Sequence, residues 1–255
     1  DTFVITLTEI NDSPVMTTAV TGSVLEDAAL DITLTATDEE SNDVTFAEGD
    51  TCVSWITVRD DGGAAMTGDL YALVGEITDG TSTVLYTFTL TITNVNDAPS
   101  LTVTADTDGD FTEDGSAADL YSSVTAADND ATVTNLYTEL KLTVTNVADT
   151  TEYLNVNSGA CDLTNGNSET TSLGGSDLTC AVAVADGTAT VTLTHGGLTD
   201  SQLQTLVDGL SYENTDQSPT AGDRVITITK LTDNGGTANS GTAHVVPSNA
   251  AATVT

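Results

Sequence analysis

Asn94-Val95-Asn96-Asp97-Ala98-Pro99 lies between two runs in which Thr alternates with apolar residues, 85–93 and 101–105. Alternation of that kind is the pattern of half-buried strands. The proline keeps the residue before it out of the helical region, so the stretch is an extended, stiff connector. Three side chains with oxygen donors, Asn94, Asn96 and Asp97, fall on it. Most of the phrase occurs once before, as Ile10-Asn11-Asp12-Ser13-Pro14, with Asn96 lying 85 residues beyond Asn11. A punctuation mark repeated at that period indicates successive β-sandwich domains.

The rest of the chain agrees with an all-β reading. Runs such as Phe3-Val4-Ile5-Thr6-Leu7 and Val225-Ile226-Thr227-Ile228 alternate, although only 38% of the 255 residues are hydrophobic and 4% aromatic. Acidic residues number 39 against four basic ones, Arg59, Lys141, Arg224 and Lys230, for a formal net charge of −35. Self-repulsion of that size opposes a compact state unless counter-ions gather on it. Oxygen-only, carboxylate-rich clusters suit Ca²⁺, which accepts six to eight oxygens in forgiving geometry. An acidic surface suited to salty surroundings is the alternative, and the two are compatible. Nucleic acid is excluded as a partner, because phosphate binding needs Lys and Arg.

Three cysteines do not make a disulfide framework. Cys161 and Cys180 bracket a polar Gly/Asn/Ser/Thr stretch and are expected to pair in an oxidising compartment, leaving Cys52 as a small buried apolar residue. No stretch approaches the roughly 20 apolar residues of a membrane span. The chain begins in the middle of a strand pattern and reads as a piece of something longer. Catalytic motifs are lacking: neither His195 nor His244 sits in a zinc spacing, and there is no nucleophile elbow or phosphate loop. We expect no enzyme.

In chain order, 3–8 reads as a strand closing a preceding repeat. A first domain over 13–98 carries Glu26-Asp27, a strand over 30–36, Asp38-Glu39-Glu40, a Trp-containing strand over 53–58, and the turn Asp79-Gly80 before a last strand. Trp55 is expected to fill core. The second domain, 99–255, is too long for one plain repeat. Asp106-Thr107-Asp108-Gly109-Asp110 invites an EF-hand reading, but Phe111 and Ala117 stand where Gly and Glu are required. A turn between strands fits better. Residues 157–178 read as a protruding, turn-rich loop, and His195 before Gly196-Gly197 as a turn residue. Leu203, Leu206, Val207 and Leu210 fall at helical spacing, with Thr199 and Gln202 placed as a capping box and Gly209 near the end, which predicts one short helix.

The connector phrase resembles the interdomain linker of cadherins and of bacterial cadherin-like repeats, which are common in giant adhesins exported by type I secretion. The order of elements over 13–98 is similar to the dystroglycan-type branch of those repeats. Leu210-Ser211-Tyr212-Glu213-Asn214-Thr215, followed by Pro219-Thr220-Ala221-Gly222-Asp223-Arg224 and the turn Asp233-Asn234-Gly235, resembles a giant-adhesin repeat. Residues 150–185 match neither.

The resemblance implies two tandem Ig-like or cadherin-like β-sandwich domains, the second enlarged and carrying the helix, with 1–12 left from a preceding repeat. It implies Ca²⁺ at a central joint through Glu26, Asn94, Asn96, Asp97, Asp128 and Asp130, and at an N-terminal joint through Asn11, Asp12, Asp38, Glu40 and Asp79. The family's Asp-Arg-Glu element is missing here, with Asp69 a weak substitute. The function implied is a calcium-stiffened extender at the cell surface, monomeric and not inserted in a membrane, whose partners are neighbouring repeats and, distally, a host or biofilm surface. The alternative is a calcium-dependent module in which the second domain grips a peptide or glycan.

Overall fold

Threonine and apolar residues in alternation place one row of side chains inward and one outward, and Ser100–Ala105, Glu152–Val156 and Ser211–Asn214 follow that pattern. The computed structural model describes residues 10–18, 21–25, 35–39, 44–48, 70–93, 96–107, 109–128, 136–235, 244–245 and 251–255. The chain divides into two compact units, Asp1–Val95 and Asn96–Thr255. Among the described residues both are all-β apart from one helix. The expected strands over 3–8 and 53–58, most of the one over 30–36, and Cys52 and Trp55 lie outside the described residues.

Unit 1 contains β1 (Val15–Met16), β2 (Thr21–Leu25), β3 (Ala36–Thr37), β4 (Thr45–Glu48), β5 (Leu70–Thr78) and β6 (Thr83–Thr93). One sheet has the order β2-β6-β5-β4, with β2 parallel to β6 and the other pairs antiparallel. β1 and β3 form a separate antiparallel pair. Tyr86 on β6 links the two, since its hydroxyl accepts the Met16 N–H at 3.0 Å and reaches the Pro14 carbonyl at 3.5 Å. The β5–β6 hairpin turns through Asp79-Gly80, where Gly80 has φ +88°, a value glycine adopts without strain.

Unit 2 contains β7 (Ser100–Ala105), β8 (Ala118–Asp119), β9 (Tyr121–Ala127), β10 (Tyr137–Val144), β11 (Glu152–Val156), β12 (Gly159–Asp162), β13 (Ser168–Leu173), β14 (Ser176–Ala185) and β15 (Thr188–Leu198). After them come α1 (Asp200–Asp208), β16 (Ser211–Asn214), β17 (Arg224–Asp233), β18 (His244–Val245) and β19 (Ala251–Val254). The large sheet runs β13-β14-β15-β10-β17-β18, with β19 also on β17; the smaller ones are β12-β11-β16-β8 and β7-β9. Leu142, Val144, Val191, Leu193, Ile226 and Ile228 from the large sheet share a buried core with Leu154, Val156 and Tyr212 from the β11–β16 side. Burying each such side chain contributes about 1.5–3 kcal/mol.

The helix forms where capping and periodicity place it. Thr199 accepts from the Gln202 N–H, the Gln202 side chain accepts from the Thr199 N–H, and Leu203, Leu206 and Val207 are buried. The aspartate-rich stretch after β7 is stitched by main chain to the C-terminal strand: the Thr253 N–H donates to the Asp106 carbonyl at 2.8 Å and the Gly109 N–H to the Thr253 carbonyl at 3.2 Å.

Two expectations need correction. Residues 157–178 are not a protruding loop but β12, β13 and the start of β14, built into the sandwich. The β13–β14 hairpin turns at Gly174-Gly175, with φ +62° and +86°, the paired positive values of a type I′ turn. Its Ser and Thr are strand residues, with Thr170 paired to Thr179 across the hairpin. His195 is not a turn residue either. It lies in β15, where its Nδ1 accepts the Gly197 N–H and its Nε2 faces the Leu173 carbonyl, each at 3.0 Å. With Nδ1 accepting, Nε2 carries the proton and donates to Leu173.

Cys161 on β12 and Cys180 on β14 form a disulfide that joins the smaller sheet to the large one. Both are buried, at 1% and 5% exposure, so the link lies inside the sandwich and not on a surface loop.

Candidate metal centre

In unit 1 the opening phrase and the β5–β6 turn meet. The Asn11 side-chain amide donates to the Asp12 carbonyl at 2.8 Å, to Asp79 Oδ2 at 2.9 Å and to Ser82 Oγ at 3.0 Å. Asp79 Oδ1 accepts the Thr81 and Ser82 N–H groups, both at 2.6 Å. The Ser82 N–H, then the Asn11 amide and the Thr81 N–H, hold the Asp79 carboxyl below its usual range. Asp12 is exposed, Asp38 is half-buried at the end of β3, and Glu40 lies outside the described residues.

Unit 2 repeats the arrangement at its own head. The Asn96 amide donates to the Asp97 carbonyl at 2.8 Å and to the two Asp233 oxygens at 3.2 and 3.4 Å. Asp233 also accepts the Gly235 N–H at 2.8 Å. Asn96 and Asp233 are each only 4% exposed. A side chain on Gly235 would overlap the Asn96 amide oxygen, so only glycine fits there.

Further carboxylates gather at this pole. Asp97 is half-buried, as is Asp128 at the end of β9. The Tyr137 hydroxyl donates to Asp200 Oδ1 at 2.8 Å. Burial pushes the Tyr137 hydroxyl well above its ordinary range, and the charges of Asp200, Asp128 and Asp233 push it further. Three carboxylates of unit 2 thus act on one phenol, with Asp128 the only one of them named from sequence. Asp233 was legible merely as a turn residue, and Asp200 was not singled out. Glu26, Asn94 and Asp130 lie outside the described residues.

All donors gathered here are hard oxygens, many of them anionic, the set that Ca²⁺ takes and thiophilic metals do not favour. They do not close a cage by themselves. Among the described residues no three of His, Cys, Asp and Glu are grouped so as to hold a metal ion. Asp79 and Asp233 are already engaged by the asparagine of their own unit. Asp97 and Asp128 are the described carboxylates of unit 2 that the resemblance assigns to calcium.

A second polar cluster accounts for the Ser211–Arg224 signature. Arg224, 4% exposed, donates through Nη2 to Glu152 Oε1 at 2.8 Å and through Nε to Oε2 at 3.2 Å. Glu152, fully buried, also accepts the Ala148 and Asp149 N–H groups at 2.8 and 2.9 Å and the Tyr212 hydroxyl at 2.8 Å. Asp149 binds the Asn214 amide and the Thr220 N–H, both at 2.8 Å. Burial pushes the Glu152 carboxyl up, but Arg224, the two N–H groups and Tyr212 together outweigh it and hold it below its usual value. Glu152 is sealed from solvent and its oxygens are matched, so the cluster is built for stability and not for chemistry.

Several solved cadherin segments are similar to this chain. A human protocadherin-24 EC1-2 structure shares 14% identity over 96% of this chain and 99% of that one, with TM-score 0.44. For the protocadherin gammaB4 extracellular domain the values are 14%, 97%, 33% and 0.38. For Drosophila N-cadherin EC1-4 they are 13%, 96%, 51% and 0.24. Likeness this low carries no argument about function, and the all-β fold rests on the strands and core described above. No protein-family model matches the chain, and no curated protein does.

Proposed function

We propose that this chain is a calcium-stiffened extender segment of a large bacterial surface adhesin, holding a distal adhesive region away from the cell. The observation that carries the proposal is the repetition: an Asn-Asp-x-Pro phrase stands near the head of each unit, and its asparagine donates to an aspartate at the end of a long strand, Asp79 after β5 and Asp233 closing β17. A chain of like units, each opened by the same acidic connector, is how a rod of repeats is built. In this reading Asp97 and Asp128 hold Ca²⁺ at the head of unit 2, with Glu26, Asn94, Asn96 through its oxygen, and Asp130 as the further ligands the resemblance implies. The ion would supply charge neutralisation where carboxylates crowd. The buried disulfide supports an exported protein, because such bonds persist in oxidising compartments. No helix among the described residues is long and apolar enough to cross a membrane. The ligand-gripping alternative leaned on the extra length of the second domain and on a protruding loop, and the loop segment is sandwich.

Calcium that binds the folded form stabilises it by roughly 2.7 kcal/mol per site at 100 times its dissociation constant. Melting with millimolar Ca²⁺ should therefore occur well above melting in EGTA at matched ionic strength. Equal melting temperatures would remove calcium from the proposal.

A further inference from the structure

We infer that the asparagine of each Asn-Asp-x-Pro phrase is a latch independent of metal, fastening the head of its unit to the end of a long strand late in that unit, β5 in unit 1 and β17 in unit 2. Two instances, separated by 85 residues of sequence, share the geometry. In each, one amide nitrogen grips the carbonyl of the next residue and a carboxylate at a far turn: Asp12 and Asp79 for Asn11, Asp97 and Asp233 for Asn96. The second partner lies 68 residues away in unit 1 and 137 in unit 2, so each bond joins segments far apart in the sequence of its unit.

An asparagine suits the task where an aspartate would not. Its nitrogen can donate to a carbonyl and a carboxylate together, whereas a carboxylate in its place would meet Asp79 or Asp233 as a like charge. A cation is not needed for either bond, because the amide nitrogen cannot ligate one. In unit 2 the fit is tight as well as polar, since the amide lies where a Gly235 side chain would have to be. In unit 1 nothing lies within 4 Å of a side chain built on Gly80, and Ser82 Oγ supplies a third acceptor instead. The latch assigns each phrase to the unit that follows it, and the chain divides at Val95 and Asn96 accordingly. It also gives Asp97 its main-chain position before any ion arrives.

The test uses the full chain, with hydrogen exchange read by segment and thermal melting, in EGTA and in Ca²⁺. In EGTA, Asn96→Ala should speed exchange in β17 and lower the melting of unit 2 by roughly 5 °C, leaving β5 and β6 unchanged. Asn11→Ala should do the reverse. Gly235→Ala should match or exceed Asn96→Ala in EGTA. The inference is overturned if Asn96→Ala and Asn11→Ala leave the EGTA state unaltered and act only when Ca²⁺ is present, for then both asparagines serve as metal ligands. A wild type indifferent to Ca²⁺, with both variants loosened in EGTA, removes the calcium reading and keeps the latch.

Discussion

Glu152→Ala is expected to cost unit 2 about 3–5 kcal/mol, the penalty for leaving a buried charge without its partner. Arg224 is 4% exposed, and once the carboxylate is gone its charge is left with Asp149, 3.8 Å away, and the Thr220 and Gly222 carbonyls. In a unit of this size that corresponds to a melting temperature lower by the order of 10 °C. A lone buried ion pair can often be exchanged for apolar residues with little loss. This one differs, because the Ala148 and Asp149 N–H groups and the Tyr212 hydroxyl also end on Glu152. The double replacement Glu152→Leu, Arg224→Met strands those donors, so it should recover only part of the loss. Full recovery would show that the pair stands apart from its network.

The same network sets the acid limit of unit 2. The folded Glu152 and Asp149 carboxyls lie below their ordinary values of 4.5 and 3.8. A depressed folded value means stabilisation that is complete above the unfolded value and lost as pH falls through the folded one. Unit 2 should therefore hold its melting temperature down to about pH 4.5 and lose it steeply below, with Glu152→Ala showing a shallower fall. An equally steep fall in the variant would place the acid sensitivity elsewhere.

Reduction of the Cys161–Cys180 disulfide is the second large effect. With a sequence separation of 19, the closed loop restricts the unfolded chain by about 3 kcal/mol. The bond also spans two sheets, so its loss frees β12 from β14. Cys161→Ser with Cys180→Ser should lower the melting of unit 2 by the order of 10 °C while unit 1 is unchanged. Thiol counting on the denatured, unreduced wild type should find one free thiol; three would contradict the bond.

Local signals were the legible ones. Thr199, Gln202 and the Leu203–Leu206–Val207 spacing place the helix because capping and periodicity act within two turns. The β13–β14 hairpin was missed because its Ser, Thr and Gly read as loop composition, although Gly174-Gly175 is a hairpin signal and Thr a strand former. The partners of Asn96 and Arg224 could not be seen at all. Asp233 lies 137 residues from Asn96 and Glu152 lies 72 from Arg224, and only tertiary structure joins them. Sequence made Asn96 a candidate ligand by its oxygen; the structure shows what its nitrogen does.

The proposal of a calcium-stiffened extender is tested most directly by small-angle scattering on the wild type and Asp97→Ala, each with Ca²⁺ and with EGTA. Asp97 offers a half-buried carboxylate at the connector, and the melting of each unit of the variant is followed alongside. Repulsion among carboxylates without the ion should leave the angle across the connector loosely defined, and Ca²⁺ should remove it. The wild type is expected to become longer and more uniform with Ca²⁺, and the variant to respond much less. A wild type with the same maximum dimension and the same flexibility in both conditions would contradict the account.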